Sequence, residues 1–305
     1  MTQTDSPGET GKQPGERSGE RGGLRYRLEW GLLNFALWLL RLMPPDTASA
    51  VMGKAWRLFA RFNSRHRRAL GNLAKAMPEL SQEEHQRILL GMWENLGRIA
   101  AETLQLDRLV SDPERFEYDV EDVREAVGDG GAVVVSLHAG NWEVTAMGGL
   151  AAGWQPVGVY QTIKNPLVDK LVHDLRARIY PGGLYPKSHE TARRLLTIAR
   201  SGGRTAMLAD LQDRRGAVIP FFGRDAWATV YPATIARAAG VPLVASRVIR
   251  LPANRFRIEA RIVEMPRTGD RKADALEATQ RYHALFERWI RENPSQWMWI
   301  MRKWL

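Results

Sequence analysis

His138 and Glu143 stand five positions apart and have the side-chain types that acid–base chemistry needs. A neutral imidazole near its unperturbed pKa takes a proton from an alcohol at physiological pH, and a neighbouring carboxylate fixes its tautomer and stabilises the imidazolium. An acceptor hydroxyl then becomes the nucleophile, and no serine or cysteine of the protein need be acylated. The pair sits in Ala132-Val-Val-Val-Ser-Leu-His138-Ala-Gly-Asn-Trp-Glu143, which reads as a buried strand, a polar turn and the start of a helix. His138 falls at the C-terminal end of that strand, the edge of an open α/β sheet where loops converge on a ligand crevice. Gly140 allows the tight turn, Asn141 is an N-cap, and Glu143 lies in the first helical turn. The competing reading is a structural hydrogen-bond pair, with Glu143 favouring the helix N-terminus electrostatically.

Asp210 ends a later strand as His138 ends this one, so it should border the same crevice; capping the following loop is its alternative role. Arg176 and Arg178 have the chemistry to bind phosphate or stabilise an oxyanion, though on a helix of mixed charge the default is solvent exposure. His66, His85, His173, His189 and His283 lie in helical or basic surroundings and read as surface residues. The chain has no P-loop, dinucleotide fingerprint, HExxH or GxSxG, which removes the usual signals for NTPase, dehydrogenase, zinc protease and α/β-hydrolase. The absence of cysteine excludes a disulfide framework, thiolate catalysis and thiolate-held zinc.

Strands and helices must hold these residues in place. Strands are expected over 116–120, from 132, and over 156–160, 204–210 and 243–250, with helices over 121–127, 167–179, 189–200 and 232–239 between them. That alternation implies an α/β fold with a largely parallel sheet covered by helices on both faces. Residues 254–263 pair with the strand before them as a hairpin, and a last helix spans 271–292. Upstream, Ser81-Gln-Glu-Glu84 is a capping box that opens a helix reaching about Leu106.

The N-terminal third has a different character. Residues 1–23 are poor in large apolar side chains and read as a disordered tail, without the apolar core of a signal peptide. From Trp30 to Leu40 there is no charge, Pro44-Pro45 ends the run, and its length falls short of the about 20 apolar residues of a membrane span. A helix lying in the membrane interface, or a marginal span with snorkelling arginines, fits better. Between Leu24 and Arg68 nine Lys/Arg stand against two acids, so much of the net +10 of this 305-residue chain lies beside its most apolar helix. Each basic residue near anionic lipid contributes on the order of 1 kcal/mol. Residues 24–68 are therefore expected to form membrane-associated basic helices, and 69–305 the α/β domain.

The run Leu137-His138-Ala-Gly-Asn-Trp-Glu143 resembles the HxxxxD/E signature of the bacterial late acyltransferases of lipid A biosynthesis, within the lysophospholipid acyltransferase-like superfamily. The resemblance runs from about residue 28 to the end. It takes in Lys164-Asn165-Pro166, Arg176, Ala209-Asp210, Gly216, Pro220-Phe221-Phe222-Gly223, Thr229 and the terminal Asn293-Pro-Ser-Gln-Trp297-Met-Trp299 with Arg302 and Trp304. Leu211 and Met301 depart from the family pattern.

The resemblance implies a glycerol-phosphate acyltransferase-like fold and an O-acyltransferase at the cytoplasmic side of the inner membrane. Such an enzyme moves a fatty acyl chain from acyl carrier protein to a hydroxyl of a lipid A precursor, with no metal or organic cofactor. Phosphatidylinositol mannosides and lysophospholipids are the alternative acceptors. His138 would be the general base and Glu143 its partner, while Lys164, Asn165, Arg176, Asp210, Phe222 and Gly223 would contact substrate. Two non-catalytic readings compete with it. A basic nucleic-acid-binding protein would account for the 44 Lys/Arg but needs stacking aromatics in a basic groove rather than an apolar helix. In a membrane-peripheral binding protein, the His/Glu pair would be structural.

Overall fold

The computed structural model describes residues 16–305, with side chains from Gly23 onward. Of the tail expected to be disordered over residues 1–23, residues 1–15 lie outside the described residues and 16–23 are instead helical, so the first helix begins at Glu16 rather than Leu24. Five helices open the described chain: α1 (Glu16–Arg41), α2 (Pro45–Phe59), α3 (His66–Ala76), α4 (Gln82–Leu104) and α5 (Leu106–Val110). The elements then alternate: β1 (Phe116–Asp119), α6 (Glu121–Val127), β2 (Ala132–Ser136), α7 (Ala146–Ala151), β3 (Pro156–Tyr160), α8 (Pro166–Ala177), β4 (Gly183–Pro186), α9 (His189–Arg200) and β5 (Arg204–Leu208). After the hairpin of β6 (Ala217–Phe221) and β7 (Arg224–Ala228) come α10 (Tyr231–Ala239), β8 (Leu243–Leu251), β9 (Arg255–Val263) and α11 (Arg271–Glu292).

Seven strands form one sheet in the order β1-β9-β8-β2-β5-β3-β4, with every neighbouring pair parallel except the β8–β9 hairpin. The expected α/β architecture is therefore present. Central β2 is covered on both faces: Val133 and Val135 are fully buried on one, and Ala132 and Ser136 are buried on the other. The expectation from sequence lacked β4, which is four residues long and starts at a glycine with φ +119. It also lacked the β6–β7 hairpin, whose two-residue turn at Phe222-Gly223 takes positive φ at both positions.

Helix α4 is the spine of the N-terminal layer. Its capping box forms: Glu84 N–H donates to Ser81 Oγ and Ser81 N–H to the Glu84 carboxylate. Gly97 lets α2 lie directly against it, since a Cβ there would come within 2.4 Å of the Met52 carbonyl oxygen. Leu40 at the end of α1 is buried with Ala48 and Ala101, and the rest of α1 leans on α8.

The outer face of α1 is a stripe of large apolar residues open to the surroundings: Leu24, Leu28, Leu32, Phe35 and Leu39, spaced three or four apart, with Trp38 beside them and Leu42 just past the end of the helix. Leu58 and Phe59 in the last turn of α2 and Phe62 just after it are exposed as well. Among the described residues, no helix is long and apolar enough to cross a membrane.

Candidate active site

The sheet register builds the site. β2 and β5 are parallel neighbours with Ser136 opposite Leu208, so two residues further on His138 and Asp210 leave adjacent strands side by side. His138 Nδ1 lies 2.7 Å from Asp210 Oδ1, and the His138 backbone N–H donates to Oδ2 at 2.9 Å. Trp297 Nε1–H donates to the same Oδ2 at 2.9 Å. Asp210 is fully buried, and burial alone would raise its pKa; the His138 ring, its backbone N–H and the Trp297 indole overcome that and hold it down to about 2.

An ionised Asp210 accepts from Nδ1–H and so fixes the imidazole tautomer with Nε2 as the unprotonated nitrogen. Nε2 has no hydrogen-bond partner among the described residues, and the side chain retains 13% exposure. An imidazole held in this way can accept a proton at Nε2.

The carboxylate expected beside His138 does something else. Glu143 is buried and paired in two-pronged fashion with Arg176, Nε to Oε2 and Nη2 to Oε1, both at 2.6 Å. Trp142 Nε1 donates to Glu143 Oε1 at 3.0 Å, and the Trp142 ring stands edge-on to His138 at 5.1 Å between centroids. Glu143 thus belongs to the site through Arg176 and Trp142 rather than by bonding the imidazole, because Asp210 already occupies Nδ1. Burial works against the Arg176 charge, but Glu143 more than restores it, so its pKa rises. The buried Tyr180 hydroxyl is pushed up by desolvation and by Glu143.

The turn itself follows the sequence reading. Gly140 has φ +59, and a Cβ there would come within 2.0 Å of the Val248 carbonyl oxygen. Asn141 Oδ1 accepts from Glu143 N–H, as an N-cap does, although the helix it opens is a single 3-10 turn over Trp142–Val144. The C-terminal segment completes the rim, with Met298 N–H donating to the His138 carbonyl and Ala139 bridging to Trp297.

The remaining expected site residues divide. Lys164 lies exposed on the loop leaving β3 at the same sheet edge, with no ion pair among the described residues. Asn165 caps α8 through the N–H groups of Leu167 and Val168, and its Nδ2 donates to the Tyr26 carbonyl and to Glu29 of α1. It anchors the first helix. Phe222 and Gly223 form the β6–β7 turn, where Phe222 is buried against Trp299 and Trp304 and its N–H donates to Glu287. Their neighbour Phe221 packs 6.1 Å from Trp297, so this hairpin supports the residue that holds Asp210.

Sequence reasoning missed the partnership of Trp297 with Asp210. The only signal for it was the tryptophan-rich C-terminus, and nothing local links residues 87 positions apart. Among the described residues no group of three His, Asp or Glu is placed to hold a metal ion.

A search of curated proteins finds no match to the chain. A family model for bacterial lipid A biosynthesis acyltransferases matches residues 16–305, a span that holds His138, Glu143, Arg176, Asp210 and Trp297. The chain belongs to the bacterial lipid A biosynthesis acyltransferase family, and is thereby an acyltransferase with an acyl donor and a lipid acceptor as substrates.

Proposed function

We propose that the protein transfers a fatty acyl chain from acyl carrier protein to a hydroxyl of a lipid A precursor, with His138 as general base. The observation that carries this reading is the imidazole whose Nδ1 is held by a buried, ionised Asp210 while Nε2 has no partner among the described residues. Nε2 takes the proton of the acceptor hydroxyl as its oxygen attacks the thioester carbonyl. The ester C–O bond forms, the C–S bond breaks, and the imidazolium returns its proton to the departing thiolate. Asp210 stabilises the imidazolium throughout without changing its own protonation.

Glu143 serves in this reading to hold Arg176. Two guanidinium nitrogens, Nε and Nη2, are committed to the carboxylate, which leaves Nη1 for a phosphate or the thioester oxygen. Lys164 offers a second positive charge at the same sheet edge. The exposed apolar stripe of α1, flanked by Arg25, Arg27 and Arg41, supports residues 24–68 lying on the cytoplasmic face of the inner membrane. Each such Leu, Phe or Trp buried in lipid contributes about 1.5–3 kcal/mol. A lipid acceptor could then be reached without extraction into water.

The experiment supplies the protein, in anionic vesicles, with radiolabelled acyl groups on acyl carrier protein or on coenzyme A. The acceptors are a lipid A precursor, a phosphatidylinositol mannoside and a lysophospholipid. Transfer from the carrier protein to the lipid A precursor is expected to be fastest. Faster transfer to another acceptor would reassign the substrate, and RNA binding without vesicle binding would defeat the reading.

A further inference from the structure

The turn from His138 to Glu143 is gripped by buried polar residues to which the chemistry above gives no role. Glu102 of α4 is buried, and each of its oxygens receives two donors. Oε1 accepts from Ser49 Oγ at 2.6 Å and Arg250 Nη1 at 2.7 Å; Oε2 accepts from Asn141 Nδ2 at 2.7 Å and Arg250 Nη2 at 2.8 Å. Arg250 Nε donates to Asn95 Oδ1 at 2.7 Å, and Asn95 Nδ2 donates to the Gly140 carbonyl at 2.8 Å. Gln296 closes the other side: its carbonyl accepts from Gly140 N–H at 3.0 Å, and its side chain exchanges hydrogen bonds with the Arg250 backbone.

Two backbone groups of Gly140 and the side chain of Asn141 are thus fixed from α4, β8 and the C-terminal segment. Asn141 in turn fixes the Glu143 N–H, and Glu143 holds Arg176. A buried ion pair gains little net stability over apolar side chains of the same volume, because both charges must be desolvated. What it does supply is direction. A carboxylate with four donors has one orientation, and here that orientation sets Asn141.

We infer that the Glu102–Arg250 pair, with Asn95, is the positioning element of the 138–143 turn, and that it governs turnover of the bound complex rather than substrate binding. The kinetic part rests on the function proposed above; the structural part does not. Displacing a reacting group by about 1 Å costs roughly 10²-fold in rate.

The decisive variant replaces Glu102→Leu together with Arg250→Met, exchanging the pair for apolar side chains. It is expected to melt several degrees below the wild type: exchanging the pair itself is often neutral, but Ser49, Asn141 and Asn95 each lose a buried hydrogen-bond partner. Its kcat for acyl transfer should fall about 10²-fold at unchanged KM. Hydrogen exchange should accelerate in the segment 138–144 while α4 and β2 stay protected. Asn95→Ala, which removes the Gly140 contact, should lose about ten-fold in kcat and show the same localised exchange.

A double variant that melts, turns over and exchanges like the wild type overturns the inference. If the double variant does not fold, Asn95→Ala decides in its place, and unchanged kcat with unchanged exchange is the contrary result. If the wild-type protein transfers no acyl group, the proposed function fails. The exchange measurement still decides the inference, and unaltered protection of 138–144 in the double variant rejects it.

Discussion

The C-terminal edge of the sheet and the outer face of α1 are built on opposite rules. At the sheet edge, Asp210, Glu143, Asn141 and Glu102 are buried, and each is held by hydrogen bonds. On α1, Leu32 is 69% and Phe35 61% exposed, with leucines and tryptophans continuing along the stripe. A polar interior is costly and an apolar exterior gains nothing in water, so neither arrangement is explained by folding stability alone. The first excludes water from groups whose charge states matter. The second offers an apolar surface to something other than water. In an acyltransferase acting on lipid, the two requirements meet in one molecule.

Variants that act on one region and spare the other test this contrast. The largest effect is expected from Asp210→Asn, which removes the charge that holds the His138 tautomer: acyl transfer should drop by about 10²–10⁴-fold while vesicle flotation is unchanged. Arg176→Met leaves the Glu143 carboxylate buried and unpaired, which should lower unfolding free energy by about 3–5 kcal/mol, read from denaturant titration. Phe35→Asp with Trp38→Asp should weaken vesicle affinity by about 10²-fold and leave turnover of detergent-dispersed acceptor intact. Loss of turnover with retained binding would dissolve the distinction between the regions.

Acid unfolding gives a smaller signal with a definite sign. The Asp210 pKa is depressed in the folded chain to about 2, so the stability it contributes is complete above the ordinary carboxylate value near 4 and is lost as pH falls towards 2. The loss is about 2 kcal/mol and should be absent from Asp210→Asn. Smallest of all, Ser81→Ala removes the capping box from α4 at a cost of about 1 kcal/mol in melting experiments, far from either region.

The legible parts of this molecule are those decided by neighbours in sequence. The helix over 121–127, the strand over 156–160 and the Ser81 cap all follow from local pattern and turn chemistry. Placing His138 and Asp210 each at a strand end was enough to bring both to the same edge of the sheet. Choosing which acid holds the imidazole was not, because that depends on β5 lying next to β2, and strand order is a long-range property. Glu143 is nearer in sequence, but Arg176 on α8 claims it. Asn165, Phe222 and Gly223 show the same limit: their motif marked them as important, and only the fold gives them the tasks of anchoring α1 and supporting Trp297.

The single-turnover rate of acyl transfer by His138→Ala, measured in the same vesicles as the wild type and with the fold checked by circular dichroism, tests the role of His138 most directly. If His138 is the base, the rate falls by about 10³-fold or more at every donor concentration, and vesicle binding stays as it was. A folded, membrane-bound His138→Ala protein that transfers acyl groups within a few-fold of the wild-type rate would contradict it.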